Sequence, residues 1–213
     1  MDLPYAREVL SATAAGLGVG MSLIVAIGAQ NLFLLRHGIR RDRPVLVAAV
    51  CALSDAILIA LGVSGVGLLV AAVPWLIVAV RWAGAAFLVG YGALAARRAW
   101  RGTDAGLRAD ADGPPTRTRV GATLATALVL TWLNPHVYLD TVFLLGTVAA
   151  GYGPDRWWFA AGAAAASILW FFGLAFGGRL LSGLLASPRS WRILDAVIAV
   201  VMVAIGVSLL GLP

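Results

Sequence analysis

The 213-residue chain has no lysine, one cysteine, two histidines and few charges of any kind, with 12% of its residues charged against 61% apolar. Soluble domains carry about 25% charged and 45–50% apolar residues, so this composition excludes that class. The lone Cys51 has no intrachain partner for a disulfide and reads as a small apolar packing residue. His37 and His136 lie far apart and no thiol cluster joins them, so no zinc site, and no cofactor of any kind, is expected. The glycines of GLGVG at 16–20 sit inside an apolar run with no strand before them, which argues against a phosphate-binding loop. No spacing suggests a nucleophile with its base, and an enzyme is not expected.

What the chain does have is long apolar runs. About 20 apolar residues cross the hydrocarbon of a bilayer. Six segments qualify: roughly 9–35, 44–69, 74–96, 120–150, 157–178 and 193–210. None alternates apolar and polar residues as barrel strands do, so the fold class is an all-α membrane protein with six transmembrane helices. The first run is too long for a signal peptide and its basic cluster follows it, so it reads as a retained helix.

All sixteen basic residues are arginine, and the formal charge of +6 invites a nucleic-acid reading. Their placement argues instead for orientation signals and lipid headgroup contacts, with no nucleic-acid partner. Thirteen arginines fall between segments one and two, three and four, and five and six, whereas the remaining connections and tails hold two, Arg7 and Arg156. The bias places those three connections in the cytoplasm and both termini outside. It also sets Trp75, Trp157 and Trp158 at the outer boundary, with Trp100 and Trp191 at the inner one.

A polar stretch at 97–119 with nine charges divides a first three-helix repeat, 1–96, from a second, 120–213. An odd number of helices per half inverts the second half, the layout of many secondary transporters. Asn31 lies five residues before Arg36, and Asn134 fifteen residues beyond Arg119. At 1.5 Å per residue both sit about 8 Å from opposite faces, which suits inverted symmetry.

Polar groups inside the apolar runs carry the functional signal. Pro135 has no N–H, so the Thr131 carbonyl loses its helical partner and Asn134 is pushed out of the α region. The fourth helix is therefore expected to break at Asn134–Pro135, lining a cavity. His136 and Asp140 are four apart and share a face after the break. Asp55 stands near the midplane of the second segment. Each central carboxylate costs about 2.5–3.5 kcal/mol to insert, which apolar packing alone does not demand. The structural use of either acid is an ion pair, with Arg81 the candidate cation; Asp195, three residues from Arg192, reads as a solvated helix start. Gln30 and Asn31 suit interhelical hydrogen bonds or a ligand, and Ser54 and Tyr138 suit the lining of a polar cavity. Gly16, Gly20, Gly28, Gly84 and Gly92 read as close helix contacts, and such spacings permit a homo-oligomer.

The stretches GAQNLFLLRHGIRRD at 28–42, CALSDAILI at 51–59, GAAFLVGYG at 84–92 and TWLNPHVYLDTVFLLG at 131–146 resemble the lysine/arginine exporter family of bacteria. The resemblance runs over nearly the whole chain, and WLNPHVYLDT is its specific element. It implies an inner-membrane exporter of L-lysine and/or L-arginine driven by the electrochemical gradient rather than ATP; the pair of intramembrane acids, Asp55 and Asp140, adds protons as the expected exchanged partner. Asp55, Asp140 and Asn134–Pro135 match the positions that matter in that family. Exporters of neutral amino acids or of a divalent metal cation, and an assembly subunit without transport of its own, are the competing readings.

Overall fold

The computed structural model describes residues 3–25, 28–65, 74–101, 117–181 and 188–211, and these residues are helical apart from short turns. The described residues form eight helices: α1 Leu3–Ile24, α2 Ala29–Arg40, α3 Pro44–Val63, α4 Pro74–Arg101, α5 Arg117–Trp132, α6 Pro135–Ala150, α7 Arg156–Leu181 and α8 Pro188–Gly211. Four are long and apolar enough to cross a membrane. Two bent pairs, α1 with α2 and α5 with α6, bring the candidate spans to six. The chain is an all-α membrane protein.

The first apolar run, expected as one helix over 9–35, is two. Between Ile24 and Ala29 the axis turns by 85°. No proline marks the turn, but an asparagine does the work of one. In a continuous helix the Ile24 carbonyl would accept the Gly28 N–H. Here Asn31 Nδ2 donates to it at 2.9 Å, and Gly28 opens α2 in an extended conformation. Gly28 is therefore a helix start.

The fourth run breaks where Pro135 requires, with a 55° bend between α5 and α6. Asn134 is extended and its Oδ1 accepts the His136 N–H at 3.2 Å, capping α6. The carbonyls expected to be freed there are engaged: that of Thr131 accepts the Asn134 N–H at 3.4 Å, and that of Trp132 accepts the Tyr138 hydroxyl at 2.8 Å. From Tyr138 to Leu144 the helix widens into π turns before resuming as α-helix at Leu145–Ala150. Such bulges are frequent at functional sites, and Asp140 lies in this one.

Packing partners exchange between the halves: α1 lies on α7 as α5 lies on α3, and α2 lies on α7 as α6 lies on α3. The α4 helix packs along α8, and α3 crosses α7 at the centre. Small residues set the closest of these contacts. A Cβ on Gly146 would lie 2.6 Å from the Gly62 carbonyl oxygen, and one on Gly178 would lie 3.0 Å from the Gly38 Cα. Gly16 and Gly20 face α7, Gly84 faces Leu133 and Gly92 faces α8, as expected of close contacts.

Three polar expectations are corrected. Asp195 is not a solvated helix start but is buried, paired with Arg36 at 2.9 Å and with Arg98 at 3.5 Å. Arg36 and Arg40 belong to α2 and Arg97 and Arg98 to α4, so the connections are shorter than the arginine pattern suggests; residues 102–116 of the central polar stretch lie outside the described residues. Trp191 is buried beneath the Arg40 guanidinium, 5.4 Å from its ring centre, while Trp75, Trp100, Trp157 and Trp158 are exposed as boundary tryptophans would be.

Candidate functional site

The two breaks open onto one space. Helices α1, α2, α3, α6, α7 and α8 enclose a cavity of about 350 Å³. Its polar lining comes from Gln30 and Asn31 at the start of α2, Asp55 on α3, Asn134, His136, Asp140 and Thr141 around the second break, Ser167 on α7 and Ser208 on α8. Leu23, Ile24, Ile59, Leu145 and Phe171 supply the apolar walls.

Six of the nine residues singled out in the sequence thus meet here: Asp55, Asp140, Asn134, His136, Gln30 and Asn31. The other three support the lining from behind. Pro135 is buried, with Gly84 packed against the Leu133–Pro135 turn. The Ser54 hydroxyl accepts the Trp132 indole N–H at 3.3 Å, and Tyr138 holds the Trp132 carbonyl. Trp132 is thereby fixed at both its backbone and its ring, which locks the last turn of α5 beside α3.

The acids differ in setting. Asp55 is buried, and its Oδ2 accepts a short hydrogen bond from the Ser167 hydroxyl on α7. Asp140 is half-buried on the π turn, near enough to His136 for the two to interact electrostatically. Among the described residues neither acid is ion-paired with Arg81, which does not line the cavity. Ser167 went unnoticed in the sequence because it sits in the Ala-rich stretch AAGAAAASILW, where a lone serine looks like helix-packing filler. Thr141 was overshadowed by Asp140 beside it, and Ser208 is a single hydroxyl in an apolar run.

Two carboxylates and a histidine facing a shared polar cavity can hold cations or protons and exchange one for the other. Among the described residues no group of three or more His, Cys, Asp or Glu side chains is arranged to hold a metal ion.

Comparison with known proteins gives a family. Residues 21–211 match the model of the LysE type translocator family. The chain is 47% identical over 190 residues to the "Putative amino-acid transporter Rv0488" of Mycobacterium tuberculosis, covering 89% of this chain and 92% of that protein. It is 43% identical to the arginine exporter protein ArgO of Yersinia enterocolitica, covering 88% and 90% of the two chains. With the lysine exporter LysE of Corynebacterium glutamicum it shares 38% identity over 92% and 96%. No solved structure matches the chain.

Proposed function

The chain belongs to the LysE-type translocator family, and from that premise we propose that it exports basic amino acids, L-lysine or L-arginine, across a bacterial cytoplasmic membrane in exchange for protons. One observation carries the reading: Asp55 and Asp140, from different halves of the chain, line one cavity. Each acid binds either a proton or a positive group of the substrate. A protonated carboxyl attracts a cation poorly, and a bound cation keeps the proton off, so the same two groups couple both fluxes. His136, beside Asp140, relays its proton.

The exchange of packing partners between the halves supports two inverted three-helix repeats, 1–96 and 120–213, that rock about the cavity with the arginine-rich connections inside. Moving one positive charge outward against 100 mV, inside negative, costs about 2.3 kcal/mol, and one returning proton cancels it. Export to neutral amino acids asks for no pair of acids, and a metal exporter asks for more ligands than the cavity offers.

The test is uptake of radiolabelled arginine, lysine, leucine and cadmium into inverted vesicles carrying the protein, with and without an imposed proton gradient. Arginine or lysine should be taken up, faster when protons flow the opposite way, and Asp55→Asn and Asp140→Asn should each abolish it. Wild-type uptake by both correctly inserted variants would refute the mechanism.

A further inference from the structure

The two ends of the cavity are built differently. Ser208, near the end of α8, lines one end and is exposed. Asp195 lies thirteen residues earlier on the same helix, about 20 Å away at 1.5 Å per residue, and is buried. Between the cavity and Asp195 the molecule is filled by α2. Leu32, Phe33 and Leu34 of α2 are buried in one cluster with Val47, Ala48 and Cys51 of α3, and the Gln30 side chain is hydrogen-bonded to Cys51. Helix α2 therefore stands between the cavity and the arginine-rich side.

Both ends of α2 are sharp turns. The axis swings by 85° at its start, and at its end Arg41 and Arg43 both take left-handed backbone, with φ of 55° and 48°. That conformation is costly for residues with a Cβ, and such strain gathers at switch segments. The ties from α2 to α8 are made by arginines: Arg36 pairs with Asp195, and Arg40 lies over Trp191. Asp195 has a second cation, Arg98 on α4, at 3.5 Å from the same oxygen that Arg36 holds at 2.9 Å. A buried acid ordinarily resists losing its partner, because its charge is then uncompensated. Arg98 removes that obstacle. If Arg36 departs with α2, Arg98 stays with Asp195, and two like charges no longer share one oxygen.

We propose that α2 is the gate on the arginine-rich side, that Arg36–Asp195 is its latch, and that Arg98 is the spare cation that lets the latch open. The inference rests on the exporter reading for alternating access and adds what holds the inner side shut. In the closed state Arg36 binds Asp195 and α2 covers Cys51. In the open state Arg36 passes to water, Arg98 closes on Asp195, and a path to Asp55 clears past Cys51, one turn of α3 nearer the arginine-rich end. Arg36, Arg98 and Asp195 are positioning residues, and none of them lines the cavity. The two arginines have opposite effects: loss of Arg36 releases the gate, whereas loss of Arg98 keeps it shut.

Cys51, the chain's one cysteine and fully buried, is the reporter. The full chain in proteoliposomes is treated with N-ethylmaleimide, and the labelling rate and the fluxes of arginine and leucine are measured on the same samples. Arg36→Met should label about tenfold faster than wild type and Arg98→Met about tenfold more slowly, the worth of one hydrogen bond to a charged group. Arginine flux should fall in both, in the first because the gate does not close and in the second because it does not open. A purely structural cluster loosens when either arginine is removed and moves both labelling rates the same way. Arg36→Met/Asp195→Leu removes the latch whole and should label as fast as Arg36→Met; it replaces the single variant if that protein is not monodisperse. If the rates shift in opposite directions but leucine is carried and arginine is not, the basic-substrate reading falls and the latch stands. If the two rates do not shift in opposite directions, the latch is refuted.

Discussion

Arg36 reaches from α2 to Asp195 on α8, Nη1 to Oδ1 2.9 Å, with both side chains withdrawn from solvent. Arg98 on α4 approaches the same oxygen at 3.5 Å, and its guanidinium lies 5.5 Å from the ring centre of Tyr91. Phe33 on α2 meets the edge of that ring. One acid thus ties the far end of the broken first span to the α4–α8 pair, while the near end of α2 lines the cavity.

Removing one partner of a buried pair leaves the other charge uncompensated, which costs about 3–5 kcal/mol. Asp195→Ala should therefore lower the melting temperature of the detergent-solubilised protein sharply. The double variant Arg36→Met/Asp195→Leu, which removes both charges and keeps the volume, should recover most of the loss. Thermal melts of the three proteins decide it, and equal destabilisation of single and double variants would show that the pair does not act as a unit.

Ser167 donates to Asp55 from a neighbouring helix. A hydrogen bond to a charged group contributes about 1.5–3 kcal/mol, so Ser167→Ala should weaken arginine binding by about tenfold or more through a loosened carboxylate. Ser167→Thr keeps the hydroxyl and should retain more affinity than the alanine variant. Half-saturation measured in proteoliposomes separates the two, and indistinguishable values for wild type and alanine variant would remove Ser167 from the site.

Gly62 and Gly146 let α3 and α6 touch backbone to backbone, and a Cβ on Gly62 would lie 2.7 Å from the Thr141 carbonyl oxygen. That carbonyl is one residue from Asp140. Gly62→Ala should force the π turn away from α3 and spread Asp140 from Asp55, cutting transport while the protein still inserts. Gly18 and Gly90, around which a Cβ meets nothing within 4 Å, serve as controls, and their alanine variants should transport normally. Equal rates for Gly62→Ala and Gly18→Ala would mean the acids tolerate the displacement.

Much of this arrangement is legible in the residues. Asp55 and Asp140 stand out because charge inside an apolar run is costly, and Pro135 announces its break because a missing N–H has local consequences. The α1–α2 break is hidden because no proline announces it; what accompanies it is a side-chain bond from Asn31 to the Ile24 carbonyl seven residues earlier, which spacing along the run does not reveal. Asp195 was disguised by its neighbour: Arg192 three residues away invites a local reading, whereas its partner is Arg36, distant in sequence. The Arg192 Nε instead donates to the Ala99 carbonyl at 3.0 Å. Cross-helix pairings of this kind are fixed by topology, which spacing along one helix does not report.

The bend at Asn134–Pro135 is the feature whose removal separates stability from transport most cleanly. Pro135→Ala restores an N–H that the Thr131 carbonyl can accept and removes the ring that pushes Asn134 out of the helix. A continuous helix over 117–150 would be about 50 Å long at 1.5 Å per residue, against roughly 30 Å of hydrocarbon, so it would also tilt. Straightening carries His136 and Asp140 off the cavity wall, where both now sit. The expected result is transport reduced at least about tenfold with an unchanged or raised melting temperature, since interior proline costs a helix about 3 kcal/mol. Asn134→Ala, which keeps the proline and removes the α6 cap, should do the reverse: a stability loss of about 1 kcal/mol with the bend retained. Arginine flux and thermal melts measured on the same purified samples decide between them, and full transport by Pro135→Ala would show that the bend is not needed for the site.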